Sequence, residues 1–199
     1  VGTRLGLLGG TFDPIHVAHL FMGAIAADDL DLAKVLLMPA GIPPHKRGGH
    51  ITAHEHRLAM VHAAVDGDPL FEVSDLEMRR NAPSYTIETV RELLEIRGAE
   101  TELFLIMGSD SLLELHTWKD HSELLSLVRL AVYPRPGFDP GSIDVIPRDR
   151  VNLLSTGGLD FRLSSTTIRE RAAAGRSIRF LVPHAVEKYI VDNDLYGEP

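Results

Sequence analysis

Apolar residues gather along the chain in short runs, and between these runs they recur every three or four positions, so the two spacings predict strands and helices in alternation. Strand-like runs fall at residues 4–9, 35–39, 71–73, 103–107, 130–133 and 151–154. The segment Thr52-Ala-His-Glu55 reads as a capping box that opens a helix to about Val65, with Leu58, Val61, Ala64 and Val65 on its apolar stripe. A second helix is expected from about Thr86 to Arg97, carrying Ile87, Val90, Leu93 and Leu94, with Gly98 to end it. Short helices are expected at 109–115 and 121–127 on either side of Trp118, another at 164–174 ended by Gly175, and a last one with Pro183 in its first turn. Residues 134–150 are rich in Pro and Gly and read as a surface excursion. Strands alternating with helices predict an α/β fold, Rossmann-like and doubly wound, with a mainly parallel sheet whose ligands sit at the carboxyl ends of the strands.

Composition narrows the class. A chain of 199 residues, 44% hydrophobic and 24% charged, has the balance of one ordinary globular domain, here 1–199 with a C-terminal helical part at about 164–199. No internal repeat or low-complexity tract interrupts it. The absence of cysteine excludes disulfides, a thiolate nucleophile and a thiolate zinc site. No basic, long-apolar and small-residue succession marks the N-terminus for export, so a cytoplasmic location is expected, with no membrane partner. A net charge of −8 disfavours extended binding to a nucleic-acid backbone, which needs many Lys and Arg contacts, and any anion site must therefore be local. Cations do cluster at Lys46 and Arg47, at Arg79 and Arg80, and along Arg169, Arg171, Arg176 and Arg179; solvated surface is the better account of the last three.

The stretch LGLLGGTFDPIHVAHL, residues 5–20, joins a buried strand to a helix through a loop suited to phosphate. Gly9 and Gly10 turn the backbone without side chains, and Pro14 closes the loop. His16 and His19 are three residues apart, so on a helix they share one face near its N-terminus, where free amides and the helix dipole favour an anion. A Walker loop is excluded because no Gly-Lys pair occurs, and the dinucleotide fingerprint because Gly6, Gly9 and Gly10 are wrongly spaced. Two incidental helix histidines would be the plainer account of a lone H-x-x-H, but not of one preceded by GGTFDP.

Three further segments add chemistry. Leu163-Ser-Ser-Thr-Thr-Ile-Arg169 gives a capped helix start with hydroxyls, free amides and a guanidinium, a second candidate phosphate site. Asn81-Ala-Pro-Ser-Tyr-Thr86 is a loop whose Tyr85 precedes an expected helix cap at Thr86, and with Trp118 it offers aromatic faces to a planar ring. Pro43-Pro-His-Lys46 is a rigid turn presenting a histidine and an ammonium. The remaining histidines at 45, 50, 54, 56 and 62 lack the H-E-x-x-H spacing or a fixed carboxylate partner, so no dedicated protein metal site is expected.

The GGTFDP loop with its histidine pair resembles the T/HxGH nucleotidyltransferases. Taken together, GGTFDPIHVAH at 9–19, PPHK at 43–46, RNAPSYT at 80–86, GSDSL at 108–112, Trp118, RPG at 135–137 and SSTTIR at 164–169 resemble the bacterial nicotinate-nucleotide adenylyltransferases along nearly the whole chain. The resemblance implies an enzyme of NAD biosynthesis that transfers AMP from ATP to nicotinate mononucleotide, giving nicotinate adenine dinucleotide and pyrophosphate. By matching position, it implies that Gly9, Gly10, Thr11 and Phe12 line the ATP loop, with His16 and His19 on the phosphates. It likewise places Lys46 at the phosphates from the opposite loop, Ser165, Thr166 and Arg169 on the triphosphate, Gly108 and Asp110 at the ribose, and Tyr85, Thr86 and Trp118 at the pyridine ring. His16, His19, Lys46 and Arg169 are the expected catalytic set, and Mg2+ is expected to arrive with the ATP phosphates. Two positions depart from the family pattern: Ala18 stands where glycine is usual, and Ala40-Gly41 where some members carry polar side chains. Two alternatives stay open: a related enzyme of the pantetheine-phosphate adenylyltransferase kind, and a nucleotide-sensing module without turnover. A homo-oligomer is compatible with everything above.

Overall fold

The computed structural model describes residues 2–42, 51–80, 82–98, 100–139, 146–159 and 162–197. Six strands, β1 (Arg4–Gly10), β2 (Lys34–Pro39), β3 (Phe71–Val73), β4 (Glu102–Gly108), β5 (Arg129–Tyr133) and β6 (Val151–Leu153), pair in parallel in the order β3-β2-β1-β4-β5-β6. All-parallel pairing needs crossovers, supplied by α1 (Val17–Leu30), α2 (His54–Val65), α3 (Thr86–Arg97), α4 (Ser109–Glu114) and α5 (His121–Leu127); α6 (Ser165–Ala173) and α7 (His184–Asp192) close the chain. The predicted doubly wound sheet and nearly every predicted boundary are present.

Period-two alternation explains the layering. Leu5 and Leu7 of β1, Leu36 and Met38 of β2, and Leu103, Leu105 and Met107 of β4 enter the cluster beneath α3 and α5, while Leu8, Val35, Leu37, Phe104 and Ile106 enter the one beneath α1, α2, α6 and α7. Strands buried on both faces are apolar throughout, which is why the sequence shows them as short unbroken runs. The strand order reverses direction between β1 and β4, and there the loops leaving their carboxyl ends part to open a crevice.

Three local expectations are corrected. Thr52 does not cap α2: its N-terminal flank is Ala53, with no side-chain cap, while the Thr52 amide donates to Asp13 Oδ2 at 3.2 Å. Thr86 is already the first residue of α3, so the cap position falls to Tyr85. Pro183 precedes α7 rather than occupying its first turn. By contrast Ser164 caps α6 as expected, accepting from the Thr167 amide at 3.1 Å. No helix among the described residues is long and apolar enough to cross a membrane.

Candidate active site

At the β1/β4 reversal lies a cavity of about 560 Å3. Gly9, Gly10, Thr11 and His19 form one part of its wall, Gly108, Asp110 and Arg135 another, and Tyr85, Thr86 and Trp118 a third, so most of the sequence-predicted site residues converge. A Cβ at Gly9 would meet no protein atom within 4 Å, so the space over its backbone is open to the cavity. At Gly108 a Cβ would lie 2.3 Å from Asp110 Oδ1, so a side chain there would displace that carboxylate from its place beside Arg135.

The two histidines differ. His16 is the flank of α1 in extended conformation and His19 lies inside the helix, yet their rings stack with centroids 3.7 Å apart, as the three-residue spacing implied. The His16 amide donates to His19 Nδ1 at 3.2 Å, and the ring of Phe12 meets that of His19 edge-on at 5.0 Å. His16 is only 4% exposed, and its Nδ1 has no hydrogen-bond partner among the described residues. Burial, helped by the charge of Arg135, lowers its pKa to about 4, so at neutral pH it is an uncharged imidazole. Phe12 itself is a buried brace rather than a lining residue.

The second candidate phosphate segment sits behind this loop and outside the cavity lining. Ser165 Oγ donates to the Pro14 carbonyl at 2.9 Å, and Arg169 donates from Nη1 to the Asp13 carbonyl at 2.7 Å and from Nη2 to Thr166 Oγ1 at 3.4 Å. Ser165, Thr166 and Arg169 therefore adjoin the first loop but do not line the cavity with His19. Lys46, with the rest of the Pro43–Lys46 turn, lies outside the described residues.

Four residues that carry the site were given no role of their own in the sequence, although Asp13 and Arg135 lie within quoted motifs. Arg57 is 2% exposed and donates to the carbonyls of Thr11 (2.8 Å), Ala40 (2.7 Å), Gly41 (3.3 Å) and Thr52 (3.0 Å), fastening three loops to one guanidinium. Burial works against its charge and the neighbouring Asp13 carboxylate supports it. Asp13 in turn accepts from the Tyr196 hydroxyl at 2.7 Å, which ties the C-terminal region to the loop. Arg57 shares a face with Met60 and Val61, so its spacing did carry a signal of burial. Arg135 lies just beyond the carboxyl end of β5, where this fold places ligand contacts; its amide donates to Ser109 Oγ at 3.0 Å and its Nε to Asp110 Oδ1 at 3.2 Å. Glu77, the fourth, also lines the cavity. Among the described residues no group of three or more His, Cys, Asp and Glu side chains is arranged around a metal position.

A glycine floor, stacked histidines at a helix start and aromatic faces at the reversal point of a parallel sheet define a nucleotide-handling crevice. The chain belongs to the cytidylyltransferase-like family, whose model matches residues 7–171. Its relatives include proteins named "Probable nicotinate-nucleotide adenylyltransferase" from Thermoanaerobacter sp. (strain X514), 41% identical over 97% of this chain and 94% of that protein, and from Thermomicrobium roseum, 41% identical over 98% and 92%. At that identity over nearly its full length, the chain is a member of the nicotinate-nucleotide adenylyltransferases. A solved Plasmodium falciparum nicotinic acid mononucleotide adenylyltransferase complexed with NaAD shares the fold at a TM-score of 0.82 and 18% identity, covering 98% of this chain and 97% of that one.

Proposed function

We propose that this protein transfers AMP from ATP to nicotinate mononucleotide, releasing pyrophosphate and forming nicotinate adenine dinucleotide in NAD biosynthesis. The observation that carries the reading is the single cavity joining a glycine-and-histidine end to an aromatic end. Its volume of about 560 Å3 is within the range of pockets that enclose small organic ligands.

A 5′-phosphate oxygen of the mononucleotide attacks the α-phosphorus of ATP in line; the new P–O bond forms as the bond to the bridging oxygen of pyrophosphate breaks. No enzyme nucleophile is needed, because holding the two reactants close supplies what a covalent intermediate would. Repulsion between anions is the main obstacle, and electrostatic stabilisation of the leaving pyrophosphate is the main task. Gly9 and Gly10 let phosphate oxygens approach the backbone, His19 donates to them from the cavity wall, and neutral His16 supports the His19 ring by stacking. Arg135 and Asp110 flank the ribose. Arg169, Ser165 and Thr166 hold the outer phosphates from beside the loop, and Lys46 supplies a further positive charge to them. Mg2+ would be carried by the ATP phosphates and would neutralise part of their charge. That role suits a site whose nearest buried carboxylates, Asp13 and Glu77, are already hydrogen-bonded within the protein.

Tyr85, Thr86 and Trp118 form the pyridine end. Tyr85 and Trp118 pack on the apolar cluster below α3, and the Lys119 ammonium lies 4.5 Å from the Tyr85 ring centroid. A flexible pantetheine arm gains little from two ring faces, which favours the pyridine acceptor over that alternative. A cytoplasmic setting goes with this reading. The test is product formation: ATP with nicotinate mononucleotide should yield the dinucleotide and pyrophosphate in equal amounts. Turnover with phosphopantetheine instead, or nucleotide binding without turnover of either acceptor, would replace it.

A further inference from the structure

Glu77 is buried, 8% exposed, in the turn that follows β3, and its carboxyl group joins a chain of polar side chains otherwise enclosed by the protein. Thr89, on the first turns of α3, donates its hydroxyl to Glu77 Oε1 at 2.7 Å and accepts from Arg80 Nη1 at 2.9 Å. Arg80 is anchored on Glu92 through Nε at 3.1 Å. From the other side the Ser84 side chain supports the charged form of Glu77, and its Oγ accepts from the Gly41 amide at 3.1 Å. The backbone repeats the link: the Ser84 amide donates to the Ile42 carbonyl at 3.0 Å, and Ile42 bridges Pro83. Contact is so close that a Cβ on Gly41 would lie 2.3 Å from the Glu77 carbonyl oxygen, which only glycine at this position permits.

Burial raises the Glu77 pKa and so opposes its charge, and apolar packing alone would have been the simpler choice at this position. A carboxylate does what an apolar side chain cannot: it accepts from the Thr89 hydroxyl, fixes its direction, and offers its remaining lone pairs to the polar Ser84 side beside it. Ser84 and Thr89 bracket Tyr85 and Thr86, and Ala40, Glu77, Ser84, Tyr85 and Thr86 all line the cavity. We infer that Glu77 is a positioning residue for the acceptor end: through Ser84 and Thr89 it sets the segment carrying Tyr85 and Thr86 against the Gly41 backbone, and so governs affinity for the mononucleotide acceptor and not for ATP.

This rests on the adenylyl-transfer reading, and steady-state kinetics with both substrates varied separates the two. In Glu77→Ala the KM for nicotinate mononucleotide should rise tenfold or more, with the KM for ATP within twofold of the parent. Glu77→Gln keeps an acceptor oxygen for Thr89 and should recover the acceptor KM to within threefold. Ser84→Ala, which removes a single hydroxyl and is the milder change to the fold, should raise the same KM three- to tenfold. An unchanged acceptor KM in Glu77→Ala and Ser84→Ala, an equal rise for both substrates, or failure of Gln to recover any of the loss would overturn the inference. A parent protein without turnover of this acceptor would instead overturn the functional reading, and the inference with it.

Discussion

The two ends of the cavity are built on different principles. At the glycine end the wall is backbone and imidazole, and its position is held by buried charges: Arg57 gathers the carbonyls of Thr11, Ala40, Gly41 and Thr52, and Asp13 is clasped by Tyr196 and the Thr52 amide. At the aromatic end the wall is formed by Tyr85 and Trp118, which pack on an apolar cluster. Phosphate recognition depends on where amides and hydrogen-bond donors point, so that end is organised by polar contacts whose directions are fixed. A planar ring needs a flat surface at the right height, and packing largely provides it; Glu77 trims the approach of the loop.

The contrast makes perturbations at the glycine end fall on ATP and on the chemical step, and perturbations at the aromatic end fall on the acceptor. The largest effect is expected from His19→Ala, which removes a donor at developing phosphate charge. A loss of about 2.7–4 kcal/mol of transition-state stabilisation lowers kcat by about a hundred- to a thousandfold. The change should leave the acceptor KM within about threefold, and a thermal melt should show a folded protein. A kcat near that of the parent would move the phosphates away from His19. His16→Ala is less diagnostic, because a buried ring is lost together with any role in binding.

A smaller loss is expected from Arg169→Lys. The guanidinium reaches both the Asp13 carbonyl and Thr166, and an ammonium cannot keep that geometry while also meeting phosphate oxygens. Hydrogen bonds to charged groups are worth about 1.5–3 kcal/mol, which corresponds to roughly a ten- to a hundredfold loss of kcat/KM for ATP. Equal kcat/KM for ATP in the Lys variant and the parent would reduce Arg169 to a solvated charge beside the loop.

These expectations also show how far the sequence carried. The four inner strands β2, β1, β4 and β5, and the reversal between β1 and β4 that opens the cavity, could be read from unbroken apolar runs because these strands are buried on both faces, whereas the short, half-buried edge strands β3 and β6 carry Glu72 and Asn152 and left a weaker signature. The glycine loop, the histidine pair and the aromatic pair were legible as local motifs. What escaped was support acting across long separations: Arg57 holds Thr11 from 46 positions away and Tyr196 holds Asp13 from 183, and no local spacing encodes such pairs. The Thr52 box failed for the same reason, since its amide is taken by Asp13, 39 residues distant. The relation of Ser165 and Arg169 to the first loop was equally invisible: the segment read as a second phosphate site is also fastened to the Asp13 and Pro14 carbonyls of that loop.

The central claim is that one cavity seats two ligands at chemically distinct ends, and Trp118→Ala tests it most directly. Loss of one stacking face costs about 1–3 kcal/mol by analogy with bases stacked on protein aromatics. The KM for nicotinate mononucleotide should therefore rise roughly 5- to 150-fold while the KM for ATP stays within about twofold, and Trp118→Phe should recover much of the loss by restoring a ring. An equal rise in both constants, or no recovery with Phe in a protein of normal thermal stability, would contradict the division of the cavity into an ATP end and a pyridine end.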